Sequence, residues 1–413
     1  MGPRVEKVDT LIVGAGLIGS AAAMHLAKLG VSGVRVIDVD LEGALSSSEL
    51  NAGGVRATLS QPVNILLSKL SIEYFRSVAD EVGYRPCGYL WMRSPESMTG
   101  ARRLRELQTG LGWKVEEWDL AQLQRHLPFL DKTEGLAGAH FAPDDGLINP
   151  NLLKLHYRDE AKRLGVRFDD RTRLVGAEFG SGGVRLRCES FSRLDGDERL
   201  FEMTEGASGR KAAAVETVIY EADRVVNSAG AWAPVVSRIL GYACPSEPVR
   251  RQVCIFDCRD VDLTPYGMMV DPSGVYFHPE ATNGLAGVAT PEQPGFNFEY
   301  DGARFFEELI WPTLYERSSK FERLRHLTGW AGLYEVSPDH SAILGRVEQG
   351  DAGRSGRVFE SHSFSGHGVM QCHAAGLGLA ELMVRGRYET LDLSILSGTR
   401  FERRQLVSEN AVI

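Results

Sequence analysis

Gly14, Gly16 and Gly19 stand at GxGxxG spacing, and the carboxylate of Asp38 follows them. This set of residue types suits a dinucleotide. The first glycine permits a tight turn, the second lets a pyrophosphate approach the backbone, and the third lets a helix lie close to a sheet. Free amides at a helix start favour an anionic diphosphate. An acid closing the next strand can accept hydrogen bonds from a ribose. Glycine turns also arise for packing alone, so the spacing needs the right elements around it.

Those elements are present in order within DTLIVGAGLIGSAAAMHLAKLGVSGVRVIDVD, residues 9–40. Leu11 to Val13 read as a strand, residues 17–29 as an Ala- and Leu-rich helix ending at Gly30, and Val34 to Ile37 as a second strand. A C-cap glycine at position 30 fits that helix. The apolar run 11–27 could also suggest a signal peptide or membrane span. Three interior glycines, His25 and the lack of a basic leader argue against both. A second strand–glycine–helix stretch is SFSGHGVMQCHAAGLGLAELMVRG, 363–386. Its helix starts near Val369, where the dipole carries roughly half a positive charge.

Other segments fill in the frame. Small residues and a Gly53-Gly54 pair precede Arg56. Residues 61–83 predict a helix, 88–92 a strand, 95–112 a polar helix, and 136–141 a strand. Asn149 or Asn151 suits the cap of a helix with Pro150 in its first turn. YEADRVVNSAGAWA, 220–233, predicts a buried strand ending in small residues that could pass a ligand closely. The polar segment 192–214 is expected to be a long exposed loop, partly disordered. From 241 to 320 the chain turns strand-rich, as in RRQVCIFD, GMMVDPSG, GVYFHP and GLAGVAT, and predicts a mostly antiparallel sheet. A helix is expected at 301–318.

At 413 residues the chain can form two domains. Its net charge of −9 opposes non-specific binding to nucleic acid or anionic membrane. The six cysteines are scattered without a CxxC, and Cys254 and Cys258 lack a nearby histidine at zinc-like spacing. No metal site is expected, and idle thiols point to a reducing compartment. The expectation is a soluble, cytoplasmic chain without a membrane span.

VGAGLIGSAAA with Asp38, NAGGVR (51–56), VVNSAGAW (225–232), RRQV (250–253), GLYEVSPDH (332–340) and SFSGHGVMQ (363–371) occur in an order that covers nearly the whole chain. Together they resemble the D-amino-acid-oxidase superfamily of FAD-dependent oxidoreductases. The similar branch holds sarcosine oxidases, flavin subunits of amino-acid dehydrogenases, and mitochondrial FAD-dependent oxidoreductases that assist respiratory-complex assembly.

The resemblance implies an α/β fold: a Rossmann-type FAD-binding domain with a parallel sheet, and an inserted, mostly antiparallel α+β substrate domain. The expected partition is 1–85, 149–240 and 325–413 for FAD, with 86–148 and 241–324 for substrate. FAD contacts are implied at Gly14, Gly16, Leu17, Ile18, Gly19, Asp38 and Val39. They are also implied at Ser48, Asn51, Ala52, Gly53, Leu174, Ala229, Gly230 and Trp232, and from Gly366 through His367, Gly368 and Val369 to Met370. Arg56 matches an active-site arginine that could hold a carboxylate, Tyr334 matches an active-site tyrosine, and His278 with Tyr276 lies on the strand expected over the flavin.

Three departures refine this. A tethering cysteine of monomeric sarcosine oxidases is replaced by Gly332, which implies non-covalent FAD. A lysine that promotes reaction with oxygen is replaced at or near Ala286, which favours a dehydrogenase. A carboxylate-binding lysine is replaced by Met370. The implied activity is oxidation of a C–N bond in a small amine or amino acid by hydride transfer to flavin. A dehydrogenase role implies an electron acceptor or partner subunit. The alternative is an assembly or partner factor whose FAD is structural.

Overall fold

The computed structural model describes residues 3–192, 214–349 and 356–411. The expected loop at 192–214 therefore lies almost wholly outside the described residues.

The strand Arg4–Val13, apolar and buried over Leu11 to Val13, runs at the centre of the first sheet, which has eight strands among the described residues. It pairs in parallel with Ala214–Asn227 on one side and Val34–Ile37 on the other. Arg167–Asp169 and Val358–His362 extend the parallel core, and Ile343–Arg346 closes one edge antiparallel. A hairpin of Thr172–Gly180 and Gly183–Phe191 joins through Ala214–Asn227. The innermost strands are apolar on both faces because helices cover them, as parallel sheets require.

The helix Leu17–Lys28 packs against Pro150–Arg163 and Gly368–Arg385. Its last crossing is close: a Cβ at Gly376 would sit 2.8 Å from the Ala21 carbonyl carbon. The expected helix at 61–83 breaks at Val78 into Pro62–Ser77 and Ala79–Val82. Asn149 caps its helix, accepting from the amides of Asn151 and Leu152 at 3.0 Å each.

The second sheet also has eight strands among the described residues. Glu116–Trp118, Gly138–Ala142, Tyr89–Arg93, Met268–Val270, Tyr276–Glu280, Asn283–Gly287, Glu247–Asp257 and Arg325–Val336 follow one another across it. All pairs are antiparallel except Tyr89–Arg93 with Met268–Val270. Arg325–Val336, which the expected partition groups with the FAD-binding segments, pairs along its length with Glu247–Asp257. Its alternating side chains need a sheet neighbour, and that neighbour is in the second layer. The helix expected at 301–318 runs from Ala303 to Tyr315 with a π turn at Phe306–Ile310. It covers the outer face of this sheet, burying Phe305, Phe306, Ile310 and Leu314 against Cys254, Phe256 and Phe277.

Candidate active site

The strand Arg4–Val13 delivers its last residues to Gly14, whose φ of +104° only glycine adopts freely. A Cβ there would lie 2.3 Å from the Ser228 carbonyl oxygen, so the turn and the end of Ala214–Asn227 meet without room for a side chain. Gly19 serves packing: its Cβ would meet the Gly14 carbonyl oxygen at 2.0 Å.

Asp38 ends the second strand as expected. Its Oδ2 accepts from the Ala15 amide at 2.6 Å and its Oδ1 from the Asp40 amide at 3.0 Å. Burial raises its pKa, and those two amides oppose the rise. The carboxylate is thus aimed by the turn itself and keeps lone pairs for a ribose. Ser48 approaches from the loop, accepting from the Leu17 amide at 3.0 Å.

A cavity of about 500 Å³ runs from Asp38 and Val39 past Gly14, Gly16, Leu17 and Ile18. Ser48, Asn51, Ala52, Leu174, Ala229, Gly230 and Trp232 line its middle. It continues along Gly366, His367, Gly368, Val369 and Met370. Two helix starts thus open on one space, one from each strand–glycine–helix stretch. Gly366 adopts φ +92°, and a Cβ there would strike the Tyr334 ring at 2.4 Å. Among the described residues, no cysteine and no lysine lines this space.

Its far end lies under the second sheet. Arg56, Tyr89, Arg251, Tyr276 and Tyr334 line it. Burial raises the pKa of Tyr334 and of Tyr276, so both hydroxyls keep their protons. Glu335 also lines the cavity, with Oε1 accepting from the Phe364 amide at 3.3 Å and Oε2 buried without a partner among the described residues. Burial raises its pKa as well.

The structure brings Arg56 to this end but engages its guanidinium. Nη1 donates to the Thr58 carbonyl at 2.8 Å, while Nη2 donates to the Ala411 carbonyl and lies 3.4 Å from His367 Nε2. The guanidinium also stacks over Trp91, 5.0 Å from its centroid. Burial, then the neighbouring Arg56, lowers His367 to about 4, which leaves a neutral ring beside the cation. Asp145 stands behind, accepting from the Ala57 amide, Thr58 Oγ1 and Trp113 Nε1 at 2.7, 2.9 and 2.9 Å.

Three expected residues do not line the cavity. Gly19 is in the helix body. Gly53, at φ +75°, turns the loop beside the Ile148 carbonyl. His278 shares a sheet face with Tyr276 but lies two residues further along, beneath the backbone of Ala52. There its Nδ1 meets the Pro279 carbonyl at 2.8 Å, and burial lowers its pKa to about 4. Ala286 points to the opposite face, into the core with Cys254, Phe256 and Phe277, while Leu285 packs with Tyr276. Arg251 and Glu335 were not singled out from sequence as site residues. Strand alternation through RRQV could have placed Arg251 opposite Arg250, but not above a cavity.

A parallel sheet with a glycine turn, an acid closing the second strand and a long cavity roofed by an antiparallel sheet defines a dinucleotide-dependent oxidoreductase. A profile of FAD dependent oxidoreductases, the DAO group, matches residues 9–382, and the chain belongs to that family. FAD-dependent oxidoreductase domain-containing protein 1 of Xenopus laevis is 28% identical over 444 aligned residues, covering 99% of this chain and 85% of that protein. The L-proline dehydrogenase structure from P. horikoshii superposes with a TM-score of 0.82 at 22% identity, covering 97% of this chain and 99% of the other. Glycine oxidase from Geobacillus kaustophilus gives 0.76 at 21% identity, covering 95% and 99%. The protein is an FAD-dependent oxidoreductase. The cavity fits that group: glycine backbone for a diphosphate, an aimed acid for a ribose, and a second helix start at the opposite end. Among the described residues no helix is long and apolar enough to cross a membrane.

Proposed function

We propose that the chain oxidises the C–N bond of an amino acid or N-substituted amino acid. The single observation that carries this reading is the continuous cavity, which joins the Asp38 turn to a chamber of tyrosines and arginines. Enzymes named for proline and glycine share this fold.

Gly14, Gly16, Leu17 and Ile18 would hold the diphosphate, Asp38 a ribose, and Gly366 to Met370 the opposite end of the cofactor. Bound FAD supplies the hydride acceptor for the carbon beside the substrate nitrogen. The helix start at Gly368 contributes a fixed positive potential to that end, in the manner of a preorganised dipole. Tyr334 and Tyr276 keep their protons and can orient the substrate by donating hydrogen bonds. The second sheet roofs the chamber.

The absence of cysteine from the lining supports non-covalent FAD. That no lysine among the described residues lines the cavity supports a dehydrogenase that passes electrons to an acceptor other than oxygen. The six free cysteines are in keeping with a reducing compartment such as the cytoplasm. The first sheet with its helices would form the FAD unit, and the second sheet the substrate unit.

Anaerobic titration of the purified flavoprotein with amino acids and N-methyl amino acids tests the reading. The expected result is bleaching of the flavin by one class, with slow recovery on admitting air. A flavin that no amine bleaches would overturn it and favour a structural cofactor. Flavin that stays with acid-precipitated protein would overturn the non-covalent attachment.

A further inference from the structure

Adjacent arginines on the strand Glu247–Asp257 have opposite surroundings. Arg250 faces outward and pairs with Glu292 at 2.9 Å and Asp301 at 3.0 Å, and it also donates to the Glu299 carbonyl at 2.8 Å. Arg251 faces the cavity. Its Nη1 donates to the Arg250 carbonyl at 2.8 Å, and its buried Nε has no hydrogen-bond partner among the described residues. Among the described residues it forms no ion pair.

The register explains this exposure to the chamber. Arg251 lies opposite Gly332, which has no side chain to cover it. The guanidinium leans instead over the Tyr334 ring, 5.3 Å from the centroid. Its Nε–Nη2 edge is left free, and that edge can make two parallel bonds to a carboxylate. A half-buried cation that forms no ion pair is better satisfied when a ligand supplies the opposite charge.

Arg56 lacks this vacancy. Both of its Nη atoms are already engaged, Nη1 on Thr58 and Nη2 on Ala411 and His367. We propose that Arg251, and not Arg56, receives an acid group of the substrate, and so restricts turnover to amines that carry a carboxylate near the reacting carbon. This rests on the amine-oxidation reading above, and it adds the residue that anchors the carboxylate.

The test is binding to the FAD-loaded protein, followed through perturbation of the flavin spectrum, with benzoate and its neutral analogue benzamide as probes. No turnover is needed. Wild type should prefer benzoate by about tenfold or more, the scale of a charge-assisted pair. Arg251→Gln should bring the two affinities within about twofold. Arg251→Lys should keep part of the preference, since the charge remains and the fork is lost. Arg250→Gln, on the outer face of the same strand, should keep it all.

Equal binding of both probes by wild type would overturn the anchor. So would loss of the preference in Arg56→Gln with its retention in Arg251→Gln. Should Arg251→Gln purify without flavin, the lysine variant decides: a preference equal to wild type would overturn the bidentate assignment. A wild type that prefers benzoate but is reduced by no amine would separate the two ideas, leaving the anchor standing and the reaction refuted.

Discussion

At the Asp38 end of the cavity much of the wall comes from one stretch, residues 13–39. At the Tyr334 end it comes from Arg56, Tyr89, Arg251, Tyr276 and Tyr334, which no local segment unites. In the first region backbone atoms do the binding, and the side chains that matter are mostly those left out. In the second, side chains on separate strands converge, and what each can do depends on which partners have already claimed it. A backbone site follows from the order of its residues. A side-chain site follows from competition among neighbours, as Arg56, Arg250 and Arg251 illustrate.

The largest expected effect tests the backbone region. Gly14→Ala places a Cβ 2.3 Å from the Ser228 carbonyl oxygen at a φ of +104°. The flavin-to-protein ratio should fall by about tenfold or more, read from absorbance after gel filtration. An unchanged ratio would mean that the turn is not the diphosphate site.

Arg56→Gln tests the assembled region. It removes charged hydrogen bonds to Thr58 and Ala411 from a residue that is 1% exposed. The cost should be about 2–3 kcal/mol in urea denaturation. Unchanged stability would mean that these contacts do not hold the segment around Ala411, and the contrast with Arg251 would weaken.

A third prediction concerns the helices that carry the two glycine starts. Their bodies meet at His25 and His373, whose ring centroids lie 4.6 Å apart. Burial lowers His25 to about 3 and His373 to about 2. Both therefore stay neutral when folded but protonate near the usual value of 6.5 when unfolded. Their contribution to stability is intact above 6.5 and is lost as pH falls below it, by about 1.4 kcal/mol per pH unit for each ring. Urea curves from about pH 6 down to about pH 4 should show falling stability, to which His140, His278 and His367 also contribute, and His373→Phe should make the slope shallower by about 1.4 kcal/mol per pH unit. An unaltered slope in that variant would shift the acid sensitivity elsewhere.

The smallest effect returns to the turn. Ser48→Ala removes the oxygen that accepts from the Leu17 amide at 3.0 Å. A loss of about 1 kcal/mol, seen as a severalfold weaker FAD affinity, is the scale of one helix cap.

The N-terminal βαβ unit was readable because its signals are local. Strand, glycine turn, helix and acid are contiguous, and each constrains the next. The second glycine start at Gly366–Met370 was readable for the same reason. The family resemblance singled out Arg56 and Tyr334, which both line the cavity, yet it carried no information about what Arg56 already holds. His278 shows the limit of alternation: a strand's period fixes its face, while Ala52, from a remote loop, decides that it is covered rather than open to the cavity. Ala286 was expected at or near the place of a cation over the flavin, and the sheet turns it into the other core.

The sequence alone determined the class of ligand, because a diphosphate is bound by backbone whose path is dictated by glycines close together in the chain. It also determined the antiparallel character of the second sheet, through alternation and turn residues. The tertiary structure decided that Arg325–Val336 belongs to that sheet, since strand pairing is a contact between distant segments. It also decided which arginine is free. That depends on Gly332 lying opposite Arg251 and on the Ala411 carbonyl reaching Arg56, two contacts made only when remote parts of the chain pack together.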